Sequence, residues 1–395
     1  MLALALAGYL LTTWAWSLLA PLAPLLGDSL SLTPIMQAMV VALPVVVGAL
    51  SRIPAGALSD RFGARTAFLT IIVMTIVALL VLAYAGRQSA QALLGASVLL
   101  GVAGGTFAAA VPFVSGWFPE RRGLAIGILG LGLCGSAVGG VTAVRLAEAY
   151  GMKAPFLATA LTLALLGLLV AVTMRDAPHA PRAATGIGAG LIAAMRLPVT
   201  RKALLWYAVG FAIFVASSTA LPVYLDHAYH LPAARSGDVM AGFVLLAVLT
   251  RPLGGWLADH FGPARPLVLG YAAALAVLVV QAWTPPLPVL LGLVLPVLAV
   301  TMGMTSTAVL AQVSGTAPPV LVGLITGLIS AAGGLTGFAT PLMLAASYQR
   351  TGTYGPGYAV LAAAAALALT TALRTMREPQ PSPSRSPSPV TTSEP

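Results

Sequence analysis

An arginine set inside a long apolar run can hold an anion, and this sequence builds that arrangement twice. Ser51 to Arg65 reads SRIPAGALSDRFGAR, and Thr250 to Arg265 reads TRPLGGWLADHFGPAR. Arg52, Gly56, Leu58, Asp60, Phe62 and Gly63 recur as Arg251, Gly255, Leu257, Asp259, Phe261 and Gly262, at a constant offset of 199 residues. In each copy the arginine precedes the aspartate that ends the run by eight residues, roughly 12 Å along a helix. An ionisable side chain at membrane depth is a functional candidate by default. One such arginine in each half of a duplicated chain predicts a single cationic site on a pseudo-symmetry axis.

The acidic residues say what can answer that charge. There are ten: Asp28, Asp60, Glu120, Glu148, Asp176, Asp226, Asp238, Asp259, Glu378 and Glu394. All fall at predicted helix ends, in loops or in the tail, so none is left near the bilayer centre to pair with Arg52 or Arg251. Guanidinium stays protonated at any relevant pH, and burying it in a membrane costs at least about 2.5 kcal/mol per residue on insertion scales. Water, backbone carbonyls, aromatic faces or a mobile anion could compensate. Its planar fork fits an oxyanion by bidentate hydrogen bonding, which makes a small oxyanion the sharpest candidate ligand. The same absence argues against a buried carboxylate proton relay. His227 and His230 are expected at an outer helix end as solvated surface groups.

The elements that must position these arginines follow from composition. The chain has 395 residues, 59% hydrophobic and 8% charged, which a soluble globular domain does not reach. Twelve apolar runs are each long enough to cross a hydrocarbon core of about 30 Å as a helix. They cover approximately 3–26, 34–58, 66–86, 91–117, 123–144, 153–174, 203–225, 237–258, 266–283, 287–312, 320–346 and 356–375. The expected organisation is a first six-helix bundle over 1–174, a linker over 175–202, a second bundle over 203–376, and a proline- and serine-rich disordered tail over 377–395. Within the linker, Gly186 to Leu197 is expected either as an interfacial helix or as a flexible loop. With the N-terminus inside, thirteen basic residues fall on the cytoplasmic side and five outside, Arg52 and Arg251 belonging to neither set. That is the positive-inside signature of a cell-membrane protein with both termini cytoplasmic. The net charge of +10 is therefore read as membrane topology and not as nucleic-acid binding.

Glycine gathers on the fourth, fifth and eleventh spans, notably Gly104, Gly105, Gly127, Gly130, Gly323, Gly327 and Gly334. Small residues let membrane helices approach closely. The single cysteine, Cys134, is expected to be a packing residue. No metal-ligand cluster, activated nucleophile or nucleotide loop is present, so neither an enzyme nor a cofactor is expected.

GALSDRFGAR, with twelve spans and a central linker, resembles the loop-two motif of the major facilitator superfamily. Several segments resemble its nitrate/nitrite porter (NarK-like) family: RIPAGALSDRFGAR from Arg52, GVAGGTFAA from Gly101, GWFPERRGLAIGILGLGLCG from Gly116, RPLGGWLADHFG from Arg251 and GLITGLISAAGGLTGFATP from Gly323. The resemblance implies an all-α membrane fold of two pseudo-symmetric six-helix bundles. It also implies an anion held by Arg52 and Arg251, with Tyr207, Phe211 and Phe107 lining the pocket and Trp16 a further candidate. Tyr207 and Phe211, at i and i+4, share a helix face in any case. The family's asparagine positions hold Leu133 on the fifth span, Thr106 on the fourth and Ser306 on the tenth, and the chain contains no asparagine. Leucine cannot donate a hydrogen bond, so substrate charge is better specified than substrate identity.

These observations converge on a carrier, expected as a monomer in the lipid bilayer, that exchanges small anions, nitrate or nitrite first, by rocking its halves about the arginine pair. Asp60, Arg61, Gly63 and Arg65, with Asp259 and Arg265 opposite, are the expected gate. Another small oxyanion or organic anion, export of drugs or metabolites, and a non-transporting sensor stand as alternatives.

Overall fold

The computed structural model describes residues 1–30, 32–86, 88–177 and 186–377. The proline- and serine-rich tail, and Arg87, Arg182 and Arg385 among the basic residues, lie outside these. All the regular structure among the described residues is helical. Twelve helices have the length and composition to cross a membrane: α1 (Leu2–Ala23), α2 (Met39–Phe62), α3 (Ala64–Tyr84), α4 (Ala90–Trp117), α5 (Arg122–Tyr150), α6 (Ala154–Thr173), α7 (Pro198–Ala216), α8 (Arg235–Phe261), α9 (Ala264–Ala282), α10 (Leu287–Thr316), α11 (Pro319–Thr351) and α12 (Gly355–Arg377). Each coincides with one of the twelve runs expected from hydropathy. The Gly186–Leu197 stretch forms a helix, Ile187–Arg196, with Ile187, Ile192 and Met195 exposed.

The boundaries differ where backbone chemistry outweighs hydropathy. Helix α2 continues past the end of the apolar run to Phe62, so Asp60 and Arg61 belong to its last turn. It stops at Gly63, whose φ of 89° an L side chain rarely adopts; Gly262, φ 80°, ends α8 in the same way. Helix α7 starts at Pro198, earlier than residue 203, because proline is suited to a first helical turn.

The chain makes two six-helix bundles, α1–α6 and α7–α12. Helix α4 is strongly enclosed, with 78% of its most apolar stretch buried, whereas α6 turns Leu161, Leu165, Leu168 and Val172 outward as a continuous apolar stripe. A helix that is apolar all round suits a lipid environment on one side and protein on the other. The bundles meet chiefly along α2 against α11 and α8 against α5, the pairs that carry the arginine–aspartate segments and the glycines. Added Cβ atoms on Gly56 or Gly323, or on Gly123 or Gly255, would overlap the opposing backbone. Glycine at these four positions is what permits the close approach.

Candidate functional site

Arg251 lies where α8 is interrupted. The helix breaks at Thr250, and Pro252 follows in the first turn of the second segment, where its missing N–H removes no helical bond. The side chain is 8% exposed. Gly130 of α5 clears a path for it: a Cβ there would lie 2.8 Å from the Arg251 Cδ. Among the described residues, the guanidinium has no hydrogen-bond or ion-pair partner.

It faces a cavity with an empty volume of about 350 Å³, lined by Tyr207, Phe211, Arg251, Ser306 and their neighbours. The Tyr207 and Phe211 rings stack, centroids 6.1 Å apart and planes 11° apart. Gly333 and Gly337 of α11 leave room for them, since a Cβ at either would come within 3 Å of a ring carbon. The Ser306 hydroxyl lines the cavity but donates to the Gly303 carbonyl at 2.8 Å.

Arg52 is the sequence equivalent of Arg251, and its surroundings differ. Its Nε donates to the Gly104 carbonyl at 3.4 Å, and a terminal nitrogen donates to the Ser330 carbonyl of α11 at 2.6 Å. Gly104 belongs to a five-residue 3₁₀ turn, Gly101–Gly105, that interrupts α4. The second bond spans the two bundles. Backbone carbonyls, one of the compensations open to a buried guanidinium, thus answer part of the Arg52 charge, while Arg251 is left without such a partner.

The remaining pocket candidates, Phe107 and Trp16, are both outside the lining of this cavity. Phe107 is buried with its ring 5.0 Å from that of Tyr9. Trp16 donates its indole N–H to the Pro44 carbonyl at 2.9 Å and stands against Gly48, within the first bundle and away from the lining of the cavity. Tyr9 itself was not among the sequence candidates. It is 8% exposed, on α1, within electrostatic reach of both Arg251 and Arg52 and of the Tyr207 hydroxyl. A hydroxyl in mid-span of an apolar helix was the available signal, because a polar group there needs a partner.

At the linker end of the molecule, the two aspartates make equivalent contacts. The Asp60 carboxylate accepts from the Gly323 and Leu324 amides at 2.9 and 2.7 Å, in the first turn of the main helical segment of α11. The Asp259 carboxylate accepts from the Gly123 and Leu124 amides, both at 2.8 Å, in the first turn of α5. Each bond pair joins one bundle to the other and places a negative charge at a helix N-terminus, where orphan amides and the helix dipole favour it. For Asp60, an expected gate residue, the partners are a helix end of the other bundle, backbone amides 263 and 264 residues away. Arg65 binds its own bundle and the start of the linker, its side chain donating to the Ala171 carbonyl and its amide to Asp176 at 3.1 Å. Asp176 also abuts Gly63, whose added Cβ would strike the carboxylate. Arg61 lies over the Phe62 ring at 5.2 Å, and Arg265 is exposed. Arg122, unmarked by the sequence reading, reaches from α5 to the Ser314 carbonyl of α10 at 2.5 Å. At the opposite end His227 is exposed, though not merely solvated: its Nδ1 lies 2.8 Å from the Tyr354 hydroxyl.

Comparison with known proteins gives a consistent picture. Residues 5–341 match the Major Facilitator Superfamily. The chain is 36% identical over 355 residues to the probable nitrate/nitrite transporter NarK2 of Mycobacterium tuberculosis, covering 89% of this chain and 90% of that protein. It is 31% identical to the nitrite extrusion protein of Bacillus subtilis, covering 89% and 87%. Among solved structures, the human organic anion transporter MFSD10 superposes with a TM-score of 0.78 at 18% identity, covering 94% of this chain and 98% of that one. The transporter FucP superposes with a TM-score of 0.77 at 16% identity, covering 96% and 99%. At these identities the two structures speak for the fold.

Proposed function

Since the chain belongs to the major facilitator superfamily, and within it to the NarK-like nitrate/nitrite porters, we propose that it carries nitrate, nitrite or both across the cell membrane by alternating access. The observation that carries this reading is Arg251: a permanent cation, 8% exposed, facing a cavity and without a hydrogen-bond or ion-pair partner among the described residues. Such a charge is stabilised when an anion arrives and destabilised when it leaves. The names of the relatives support nitrate and nitrite as that anion.

Arg251 is the primary anion ligand, Tyr207 a neutral donor beside it, and the faces of Tyr207 and Phe211 the apolar walls. Arg52 joins the site by exchanging its Ser330 carbonyl for the anion. Asp60 and Asp259 are the gate: with both seated on helix N-termini the linker end, which the bias of basic residues makes the cytoplasmic end, is held shut. Freeing both lets the bundles rock. Transit with an empty site would carry an uncompensated guanidinium through the closed state, so exchange of one anion for another is the favoured cycle.

Proteoliposomes loaded with labelled nitrate test this directly. Efflux should be accelerated by external nitrate or nitrite and should be lost in Arg251→Ala. Equal efflux with and without an external anion would remove the exchange mechanism, and full activity in Arg251→Ala would remove the site.

A further inference from the structure

The hydroxyl groups around the arginines are nearly all committed. In the first bundle Thr12 donates to the Gly8 carbonyl at 2.8 Å, Thr13 to the Gly132 carbonyl at 2.7 Å, Ser51 to the Gly48 carbonyl at 3.1 Å and Thr106 to the Ala103 carbonyl at 3.0 Å. In the second bundle Ser306 donates to Gly303, Ser330 to Thr326, Thr336 to Ala208, and Tyr271 to Trp206. Each is therefore a poor donor to anything that enters the cavity. Two phenols stand apart. The hydroxyls of Tyr9 and Tyr207 make no hydrogen bond among the described residues, and neither is among the fully enclosed, unsatisfied polar atoms.

These two phenols lie within electrostatic range of each other and come from opposite halves, Tyr9 from α1 and Tyr207 from α7. The Tyr9 ring is firmly seated. It packs on Phe107, and on Gly132 in the 3₁₀ turn Leu131–Cys134 of α5, where a Cβ would come 2.6 Å from its Cδ1. That turn, Leu-Gly-Leu-Cys, brings no hydroxyl or amide side chain to the site. The first bundle thus offers, within electrostatic range of Arg251, a phenol whose hydroxyl is uncommitted and whose ring is held in place.

We propose that Tyr9 is a substrate-touching, specificity-determining residue: its hydroxyl and that of Tyr207, one from each half, donate to an oxyanion held at Arg251 and make the site prefer oxygen-bearing anions to halides. This rests on the anion-carrier reading above and adds a ligand that the sequence motifs did not indicate. A guanidinium alone attracts any small anion. Fixed hydroxyl donors reward acceptor atoms at fixed places, and a site built to make hydrogen bonds discriminates against a ligand that cannot complete them. An anion held by a donor from each bundle also bridges the bundles, so occupancy bears on how they move together.

Tyr9→Phe removes only the hydroxyl and retains the ring packing. In proteoliposomes its KM for nitrate should rise about tenfold, the scale of one lost hydrogen bond to a charged ligand, with Vmax within about twofold of the parent. Inhibition of nitrate uptake by chloride should strengthen by about the same tenfold factor relative to the variant's nitrate affinity. Tyr207→Phe should act alike. Unchanged KM and unchanged chloride inhibition in Tyr9→Phe would overturn the proposal, as would equal weakening of nitrate and chloride, which would mark a packing effect. Should Tyr9→Phe be poorly recovered, 3-fluorotyrosine at position 9 keeps the phenol and makes it a stronger donor; nitrate should then bind more tightly in a thermal-shift titration, and unaltered binding would count against the proposal. A parent protein that binds and moves no oxyanion would remove the carrier reading and this one together, whereas a parent that moves nitrate beside an unaffected Tyr9→Phe removes this one alone.

Discussion

Placing an arginine at membrane depth without a carboxylate beside it costs at least about 2.5 kcal/mol, and Arg251 accepts that cost while Arg52 offsets part of it with the carbonyls of Gly104 and Ser330. The proposed site therefore has two arginines with different duties: one waits for the ligand, the other is already engaged across the bundle interface. Arg251→Ala should weaken nitrate binding by at least about 100-fold in a thermal-shift titration, because one partner of a buried charge pair is lost. Arg251→Lys keeps the charge but not the planar fork, so binding should survive about tenfold weaker. A lysine variant as poor as alanine would show that charge alone does not define the site. Arg52→Ala removes the contact to Ser330 as well as a cation, so it should weaken nitrate binding and loosen the bundle interface together.

At the scale of the helix, the geometry that matters is a C-terminal turn of one helix meeting the N-terminal turn of another. Asp60 on α2 meets α11, and Asp259 on α8 meets α5, through glycine pairs that let the backbones touch. A carboxylate at a helix N-terminus is stabilising by about 0.3–1 kcal/mol, rising to about 2 kcal/mol when partly buried. Asp60→Asn and Asp259→Asn should each shift the balance towards the state open at the linker end by about fivefold, on the scale of 1 kcal/mol. The effects should add in the double variant, since the two contacts share no residues. Spin labels at the exposed positions Arg61 and Thr316, one in each bundle, would report this as a longer distance population, after replacement of the single cysteine Cys134. Distance distributions identical to the parent would exclude the aspartates as latches. Gly323→Val should be more severe: its side chain has no space against Gly56 and Asp60, so the expected result is loss of the state closed at that end and loss of exchange.

For the molecule as a whole, every hydrogen bond between the bundles among the described residues lies at the arginine level or at the linker end: Arg52 to Ser330, Arg122 to Ser314, and the two aspartates. This is the arrangement expected of a carrier shut on one side. In the proposed cycle the anion neutralises the centre so that the latches can release and the bundles rock. External nitrate or nitrite should then stimulate efflux by at least about tenfold over an anion-free exterior, the factor equivalent to 1.4 kcal/mol. An imposed pH gradient should drive little uptake by itself, since no carboxylate among the described residues pairs with either arginine. Uptake that follows the pH gradient in the absence of internal anion would replace exchange by proton symport.

Sequence alone determined the twelve spans, because a membrane demands about 20 apolar residues per crossing and those runs are directly countable. It also determined the duplicated arginine–aspartate segments, because an identical spacing of charges in lipid-like surroundings is legible without coordinates. The duty of each copy was not legible. Arg52 and Arg251 occupy equivalent positions in the sequence, yet a 3₁₀ turn in α4 and a carbonyl of α11 reach one of them and not the other. The amides that receive Asp60 are more than 260 residues away, and the openness of the Tyr9 hydroxyl depends on which neighbouring hydroxyls are already bound to the backbone. Hydropathy and spacing record what a residue is and how far it lies along the chain. Only the packed bundles decide which backbone groups come within hydrogen-bonding range of it, and that decides which charges and hydroxyls remain available to a ligand.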